Sequence, residues 1–463
     1  MASGGGKRAW VADLERDLAG AGAALELALW KKHSVHRVPV AVKDHHPQAY
    51  RPQVVSLGPF HHGDKRLLPM EQHKRRAVAH LLRRSGKTAG ELVAVVEEVV
   101  PELEDAYQDL GDEWRGEQHR ERFLQVMVTD GCFLLEMMRT AKAARGKHDE
   151  ASGVYAQNDP VFGRHGALYV VPYVRRDMLI VENQLPLLLL QKLVAVEKVS
   201  EDMGDVEYEV KKIVLRFISP SCKTLPAKEY RALHPLDVFR ESLISGPYRK
   251  PRGGAGRDDH DDEEASSIIR SAAELYEAGI RFKRSKTNSF HDVTFRRGVL
   301  SLPFIIVDDS TEYELLNLMA FERLHAGAGN DVTAYVFLMD NIIDSAADVA
   351  LLTSKGIIQN AVGSDKAVAK LFNELSKDVA LDTNGELDAV QRKVNRYCRK
   401  PCHVWRANLV HTYFRSPWAF LSLAAAVFLL GMTVVQTVYT VLPFYQGDNG
   451  GDSSSSSTAP APL

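Results

Sequence analysis

Apolar residues recur every three or four positions along most of this chain, which is the spacing of one face of an α-helix. The pattern predicts helices over Trp10–Trp30, Met70–Arg84, Glu91–Leu110, Arg122–Met138, Ile268–Ala278, Val332–Ile343, Ser345–Leu352, Asp365–Leu381 and Glu386–Phe414. Gly279 is typical of a helix end, and Thr311 with Glu314 predicts a capping box that opens a further helix. The sequence therefore predicts a mainly α-helical fold.

One stretch, Asp177–Ala195, is too apolar for a surface helix and is expected in the central core. Pro186 within it predicts a kink or a helix start. Glu182, Asn183 and Gln184 interrupt its apolar run, and buried polar groups need hydrogen-bond partners. We therefore expect a structural hydrogen-bond network there, with a buried catalytic carboxylate at Glu182 as the alternative.

Two segments depart from the helical pattern. Between Phe290 and Val307, apolar and polar residues alternate on both sides of Arg297-Gly298, which predicts one small β-hairpin. Residues 246–267 are rich in glycine and proline and then in aspartate and glutamate, which predicts a flexible loop. Its acidic run lacks the fixed glycine and spacing of a calcium-binding loop, so we interpret it as solvated.

A third pattern, near the end of the chain, lacks charge altogether. The run from Ala419 to Leu442 contains no charged side chain, and about 24 residues of helix span about 36 Å, enough to cross a hydrocarbon core of about 30 Å. The sequence predicts a transmembrane helix over 418–442, with Trp418 at one interface. The alternative is a buried core helix, but few of these are apolar on every face.

Charge on the two sides of this helix predicts its orientation. The basic residues before it are Arg392, Lys393, Arg396, Arg399, Lys400, Arg406 and Arg415, and only Asp448 and Asp452 are charged after it. The positive-inside rule then places the body in the cytosol and the tail outside, most simply at the plasma membrane. The tail, 446–463, is rich in serine, glycine and proline and is expected to be disordered.

One face of the predicted membrane helix carries small or polar residues. They are Ser422, Ala426, Thr433, Gln436, Thr437 and Thr440. Such a face favours self-association or pairing with another membrane helix. The alternative is that the hydroxyls bond back to their own helix and that Gln436 reaches the interface. The sequence leaves both interpretations open.

Composition narrows the class of protein. The 463 residues carry a formal charge of −2, so nothing indicates a nucleic-acid partner. Four cysteines do not make a disulfide framework in a chain of this length. No apolar run of signal-peptide type lies near the N-terminus, and no Asn-x-Ser/Thr triplet occurs. These features predict that the body is not translocated.

Candidate chemistry is sparse. Histidine is a common zinc ligand, and five histidines stand close together in the sequence: His45-His46, His61-His62 and His73. Adjacent side chains on an extended segment point to opposite sides, however, so the two residues of such a pair would not face one metal ion. Cys398 and Cys402 are one helical turn apart, which is a possible spacing for two metal ligands, but Pro401 interrupts the helix. The alternative is two reduced thiols near the membrane. Val40–Lys43 resembles a kinase strand but lacks the other kinase motifs. We predict no metal, no cofactor and no enzymatic activity.

Ordered motifs along nearly the whole chain resemble one plant family, the one named for domain of unknown function 247 (DUF247). They include Ser34–Pro39, Tyr50–Gly63, Met70–Lys74, Asp130–Phe133, Val181–Pro186, Leu318–Glu322 and Thr433–Tyr439. The resemblance runs from about Ser34 to Tyr445. It implies a single-pass plant membrane protein without an assigned activity, and some grass members are associated with self-incompatibility.

The residue pattern and the resemblance together divide the chain into an N-terminal segment (1–33, with an amphipathic helix), a helical family body (34–415), the membrane helix and the tail. The family motifs supply the candidate site residues His61, His62, Glu182, Asn183 and Gln184, and the uncharged run supplies the anchor residues Trp418, Ala426, Thr433, Gln436, Thr437 and Leu442. We expect a membrane-tethered interaction or recognition protein with unknown protein partners. The alternatives are a membrane-tethered enzyme that uses Glu182 or the His61-His62 region, and a body turned outward.

Overall fold

The structure is a computed structural model of the full chain. It describes residues 10–11, 32–143, 155–156, 158–197, 203–220, 225–246, 269–377, 386–399 and 417–446. The predicted N-terminal helix, the 246–267 loop and the 446–463 tail lie outside these ranges, apart from Trp10, Val11, Gly246 and Gln446. Cys402 and Pro401 also lie outside them.

The first half of the described chain is entirely helices and their connections. The helices are α1 (Val40–His45), α2 (Glu71–Ser85), α3 (Ala89–Glu97), α4 (Val100–Asp105), α5 (Glu117–Ala143), α6 (Arg164–Tyr169), α7 (Val171–Asp177), α8 (Leu187–Glu197), α9 (Met203–Ile218) and α10 (Pro235–Ile244). The long helix α5 packs against α2, α3, α8 and α9. The prediction of one helix over Glu91–Leu110 was wrong, because Pro101 has no N–H to continue α3 and instead occupies the first turn of α4.

The predicted core segment Asp177–Ala195 is buried over 177–187, as expected, but it is not one helix. Helix α7 ends at Asp177, and α8 begins at Leu187, directly after Pro186. The predicted helix start at Pro186 is therefore confirmed. Between the two helices the chain crosses the core as a turn, so its backbone N–H and C=O groups need partners other than a helical ladder.

The second half adds helices α11 (Ala272–Glu277), α12 (Thr311–Leu324), α13 (Asp331–Ile342), α14 (Ala346–Ser354), α15 (Asp365–Leu375), α16 (Glu386–Cys398) and α17 (Pro417–Gln446). The mainly α-helical prediction is confirmed, and Gly279 adopts the positive φ of a helix end, +89°. The capping box at Thr311 and Glu314 was wrong. Helix α12 already includes Thr311, whose hydroxyl accepts the N–H of Asp308 instead.

Among the described residues, the second half also contains five short strands: β1 (Arg281–Arg284), β2 (Thr294–Arg296), β3 (Val299–Leu302), β4 (Ile305–Val307) and β5 (Ile358–Asn360). Strands β2 and β3 form the predicted hairpin, and Arg297 and Gly298 at its turn both have positive φ. Two partners were not predicted, because they come from distant sequence. Strand β1 pairs parallel to β3, and β4 leaves the hairpin to pair parallel to β5.

The chain divides into two compact units. One comprises residues 1–273 and 281–395, and the other comprises 274–280 and 396–463. The first unit has an aromatic core that includes the fully buried Tyr107, Phe123, Phe133, Phe321, Tyr335 and Phe372. In the second unit, the stretch Ala424–Leu442 of α17 is 19 residues long with a mean hydropathy of 1.9, long and apolar enough to cross a membrane.

Gly166 in α6 offers a test of the packing in the first unit. A Cβ built on Gly166 would lie 1.8 Å from the carbonyl oxygen of Val161. Backbone cannot move aside as a flexible side chain can, so Gly166→Ala should lower the free energy of unfolding by about 1–3 kcal/mol. Urea unfolding in detergent, followed by circular dichroism, measures the change.

Gly90 in α3 is the matched control for this substitution. The nearest atom to a Cβ built on Gly90 is the hydroxyl oxygen of Thr88, at 4.0 Å. Gly90→Ala should therefore leave stability unchanged or raise it by up to about 1 kcal/mol through helix propensity. Equal stability of the two variants would contradict the close approach at Gly166.

Candidate functional site

The turn between α7 and α8 carries three consecutive polar side chains, and the second of them, Asn183, is buried in the core. Its Oδ1 accepts the N–H of Leu57 at 2.7 Å. Its Nδ2 donates to the carbonyl oxygens of Val55 at 3.1 Å and Asp177 at 3.0 Å. The amide thus ties the extended segment around residue 56 to the turn, and both of its N–H donors are used within the fold.

Gln184 is equally committed. Its Nε2 donates to the carbonyl oxygens of Met178 at 2.7 Å and Ile180 at 2.8 Å, which closes the turn on itself. Its Oε1 accepts the N–H of Leu236 at the start of α10, at 3.0 Å. Its own carbonyl accepts the hydroxyl of Tyr107 at 2.9 Å. The predicted structural hydrogen-bond network is therefore confirmed for both amides.

Glu182 points to the other side of the turn, and only 2% of its side chain is exposed. Its Oε1 accepts the N–H of Val38 at 2.7 Å. Lys43 Nζ lies 2.7 Å from Oε1 and 2.8 Å from Oε2, and His61 Nε2 lies 3.6 Å from Oε2. A buried carboxylate needs such a cation and such a donor, because desolvation would otherwise be very costly.

His61 contributes a neutral imidazole to this group. Burial is the main cause that lowers its pKa, to about 4, although the charge of Glu182 acts in the opposite direction. Its Nε2 is buried and has no hydrogen-bond partner among the described residues. The structure thus places an unbonded ring nitrogen beside an ammonium–carboxylate pair.

The other early histidines lie elsewhere. His62 packs edge-on against Trp114, with ring centroids 5.5 Å apart. His73 Nδ1 lies 2.9 Å from Nη1 of Arg76, and His46 Nδ1 lies 3.1 Å from Oε1 of Glu312. Within the described ranges no three histidine, cysteine, aspartate or glutamate side chains converge as a metal site.

The Glu182 carboxylate lines a cavity of about 570 Å³, named here the charged cavity. Its lining residues are Lys43, Tyr50, Arg51, His61, Asp64, Arg66 and Glu182. Arg66 Nη2 lies 2.5 Å from Asp64 Oδ2, and this ion pair lowers the pKa of Asp64 to about 2. The cavity therefore holds two ion pairs and one further guanidinium, that of Arg51, and it offers charged groups for a small polar ligand.

A larger cavity of about 800 Å³ is walled by the same tyrosine, Tyr50. Its apolar lining includes Val42, Leu316, Met319, Ala320 and Leu375, and its ionisable lining includes His45, His46, Glu312, Arg323, Glu374 and Lys377. Burial raises the pKa of Tyr50 to about 12, so its hydroxyl stays protonated. An apolar floor with a few polar groups is the usual composition of a small-molecule site.

Sequence reasoning missed Lys43, Tyr50 and Arg51 as site residues. Val40–Lys43 was read as a chance match to a kinase strand, whereas the segment forms α1 and delivers Lys43 to Glu182. The one available signal was Glu182 itself, since a carboxylate in an apolar stretch requires a cationic partner. Nothing local to either residue indicates which cation that is.

The described side chains of α17 are exposed, including those of Trp418, Ala426, Gln436 and Leu442. The hydroxyls of Thr433, Thr437 and Thr440 donate to the carbonyl oxygens of residues four positions earlier, at 2.8, 2.8 and 2.6 Å. This geometry favours the interpretation in which the hydroxyls bond back to their own helix.

Comparison with known proteins now places the chain. The model of DUF247, a plant protein of unknown function, matches residues 35–432. The chain belongs to this family. The match spans both Val181–Pro186, which forms the buried turn, and Tyr50–Gly63, which contributes Tyr50, Arg51 and His61 to the charged cavity.

Curated relatives agree with the DUF247 assignment. UPF0481 protein At3g47200 of Arabidopsis thaliana is 30% identical over 461 residues, which cover 95% of this chain and 92% of the relative. Putative UPF0481 protein At3g02645 of the same plant is 24% identical over 497 residues, covering 87% and 89%. No solved structure matches the chain.

Removing the Asn183 amide tests the structural role of the motif. Asn183→Ala leaves the N–H of Leu57 and the carbonyl of Val55 without the partner that Asn183 supplies in the core, so the free energy of unfolding should fall by about 3 kcal/mol. Asn341→Ala is the control, because Asn341 makes one bond, to Phe337 in its own helix, and is only half-buried. A loss at Asn183 no larger than the loss at Asn341 would contradict the network.

Stability against pH tests the neutral state of His61. A buried imidazole with a lowered pKa contributes stability that is complete above its ordinary pKa of 6.5 and is lost as the pH falls toward about 4. The advantage of the natural chain over His61→Gln should therefore shrink by up to about 3 kcal/mol across that window. Urea unfolding at several pH values measures it, and an advantage that grows in acid would show a charged His61 paired with Glu182.

Proposed function

We propose that this chain is a membrane-anchored, non-enzymatic component of protein interaction or recognition, with α17 as its membrane anchor. The observation that carries the proposal is the exposure of the described apolar side chains of α17 between Leu421 and Leu442. Water would strongly disfavour this surface. Nineteen residues of helix extend about 28 Å, which fits the hydrocarbon core of a bilayer.

Charge supports one orientation of this anchor. Basic residues cluster between Arg392 and Arg415, whereas the tail beyond α17 carries only Asp448 and Asp452. Positive residues stay on the cytosolic side of membrane helices, so the helical body is proposed to lie in the cytosol and the tail outside, at the plasma membrane.

The structural role of Asn183 and Gln184 in the buried turn is consistent with a body that binds rather than catalyses. Asn183 and Gln184 bond to the backbone through every polar group of their side chains, so their contribution is to hold the fold. The relatives are described only as UPF0481 proteins, without an activity. A recognition role would agree with the grass members of the family that are associated with self-incompatibility.

The charged cavity favours a second candidate, a membrane-tethered enzyme. Lys43 Nζ and His61 Nε2 both lie within 3.6 Å of the Glu182 carboxylate. The His61 imidazole is neutral, and its Nε2 has no hydrogen-bond partner among the described residues. A neutral imidazole can serve as a general base for a small substrate. Turnover of such a substrate that is lost in His61→Gln and kept in His62→Gln would favour the enzyme over the interaction protein.

Fractionation of plant cells tests the anchor. The full chain should stay in the membrane pellet after an alkaline carbonate wash, and a chain that lacks 418–463 should move to the soluble fraction while it retains partners captured by the full chain. The control lacks only 447–463 and should stay in the pellet, since it keeps all of α17. A body that stays in the pellet without 418–463 would contradict α17 as the anchor.

An engineered glycosylation site tests the orientation. An Asn-x-Ser triplet placed next to Gly253, in the 246–267 segment, should remain unmodified in a cytosolic body. A matching triplet in the tail near Gly450 should be modified, since the tail is proposed to lie outside. Modification next to Gly253 would show that the body is turned outward.

A further inference from the structure

Helices α6 and α7 present an exposed face that the proposed anchor and the cavities leave without a role. Only Val170 separates the two helices, because Pro172 lacks the N–H that would continue the ladder of α6. Gly166, Val171 and Val174 are buried on the inner side. The outer side carries the outer stripe, defined as His165, Leu168, Tyr169, Pro172 and Tyr173, all exposed.

The outer stripe is unusually apolar for a surface. Leu168 is 61% exposed, Tyr169 63% and Tyr173 49%. In the described part of the first unit, the other exposed large apolar side chains (Trp10, Val40, Leu68 and Ile306) stand singly along the chain. The stripe instead has the i, i+3, i+4, i+7, i+8 spacing of one helical face. Grouped exposed apolar residues mark surfaces that bind another molecule or a membrane.

The charged residues that flank the stripe along the chain have one sign. Between Arg164 and Arg176 the sequence contains Arg164, Arg175 and Arg176 and no aspartate or glutamate. The next residue, Asp177, is buried and accepts backbone N–H groups, so it does not neutralise the surface. The helical segment that carries the stripe is therefore basic as well as apolar.

The two arginines at the end of this face are held in place. The guanidinium of Arg175 lies over the ring of Phe217 at 5.2 Å, and that of Arg176 lies over Tyr313 at 4.5 Å. Both side chains are half-exposed, and Arg164 at the other end is exposed. Positive charge therefore flanks the apolar stripe on both sides along the chain.

We propose that the outer stripe docks on an anionic lipid surface. Leu168, Tyr169 and Tyr173 enter the boundary between headgroups and acyl chains, and the arginines contact lipid phosphates. Helices that lie in a membrane interface typically combine apolar and aromatic residues on one face with arginine or lysine beside them, as this segment does. The inference rests on the proposed anchor, because a tether raises the local concentration of lipid around the body and lets a small surface bind.

Reconstitution of the full chain tests the docking. His165→Cys, in a chain with Cys222→Ser and Cys402→Ser, is labelled with an environment-sensitive fluorophore, since Cys132 and Cys398 are buried. In vesicles of phosphatidylcholine and phosphatidylserine, the emission should shift to the blue and be quenched by nitroxides on lipid acyl chains. Both effects should weaken in phosphatidylcholine alone and at high salt, because the attraction is partly electrostatic.

Matched variants separate docking from other causes. A label at Leu68→Cys, an exposed apolar position outside the stripe, should show neither effect. Leu168→Asp with Tyr173→Asp should abolish both effects at position 165 while circular dichroism stays unchanged. Quenching that survives this double substitution would overturn the proposal, and so would a blue shift that occurs without lipid and grows with protein concentration, which would indicate a second copy of the chain.

The same preparation distinguishes failure of the anchor from failure of the docking. A chain that floats free of the vesicles on a density gradient would contradict α17 as the anchor. A chain that stays with the vesicles, but whose label at position 165 remains in water, would contradict the docking alone.

Discussion

The fold depends on satisfying the backbone of a segment that has neither helix nor strand. Residues 51–58 lead into the core, where 55–58 are buried, without a hydrogen-bonded ladder, so side chains must supply the partners. Asp177 accepts the N–H groups of Gln53, Val54 and Val55, Asn183 accepts that of Leu57, and Asp130 accepts that of Gly58. Burial raises the pKa of Asp177 to about 6 even against these three donors. Buried side chains of Asp177, Asn183 and Asp130 thus replace the hydrogen bonds that a neighbouring strand would otherwise supply to this segment.

The candidate site is a consequence of this arrangement. Glu182 belongs to the same turn, and the segment that Asn183 holds leads directly to His61. Lys43 lies on α1, five residues after Val38, and the Glu182 carboxylate binds both the Lys43 ammonium and the Val38 N–H. A change that loosened the turn would therefore displace the charged cavity together with the core. This coupling gives a physical reason why fold-holding and ligand-facing residues stand next to one another in Val181–Pro186.

The outer stripe and α17 share one property, apolar surface that the described protein does not cover. In α17 the apolar residues occupy every face, which suits hydrocarbon on all sides. In α6 and α7 they occupy one face and are flanked by arginine, which suits a boundary between water and lipid. The same bilayer would satisfy both requirements, one by spanning and the other by contact.

Local patterns in the sequence determined the helices, the hairpin turn at Arg297-Gly298 and the apolar character of α17, because each depends on residues within a few positions of one another. They also predicted the burial of Glu182, Asn183 and Gln184, since an apolar stretch carries its polar members inside with it. Only the tertiary structure decided that Lys43 pairs with Glu182, which is 139 positions away in the chain. It also decided that β1 pairs with β3 and that β4 pairs with β5. It also decided which helical face stays uncovered between Arg164 and Arg176. Such pairings and exposures are set by how distant segments pack, and no periodicity along the chain records them.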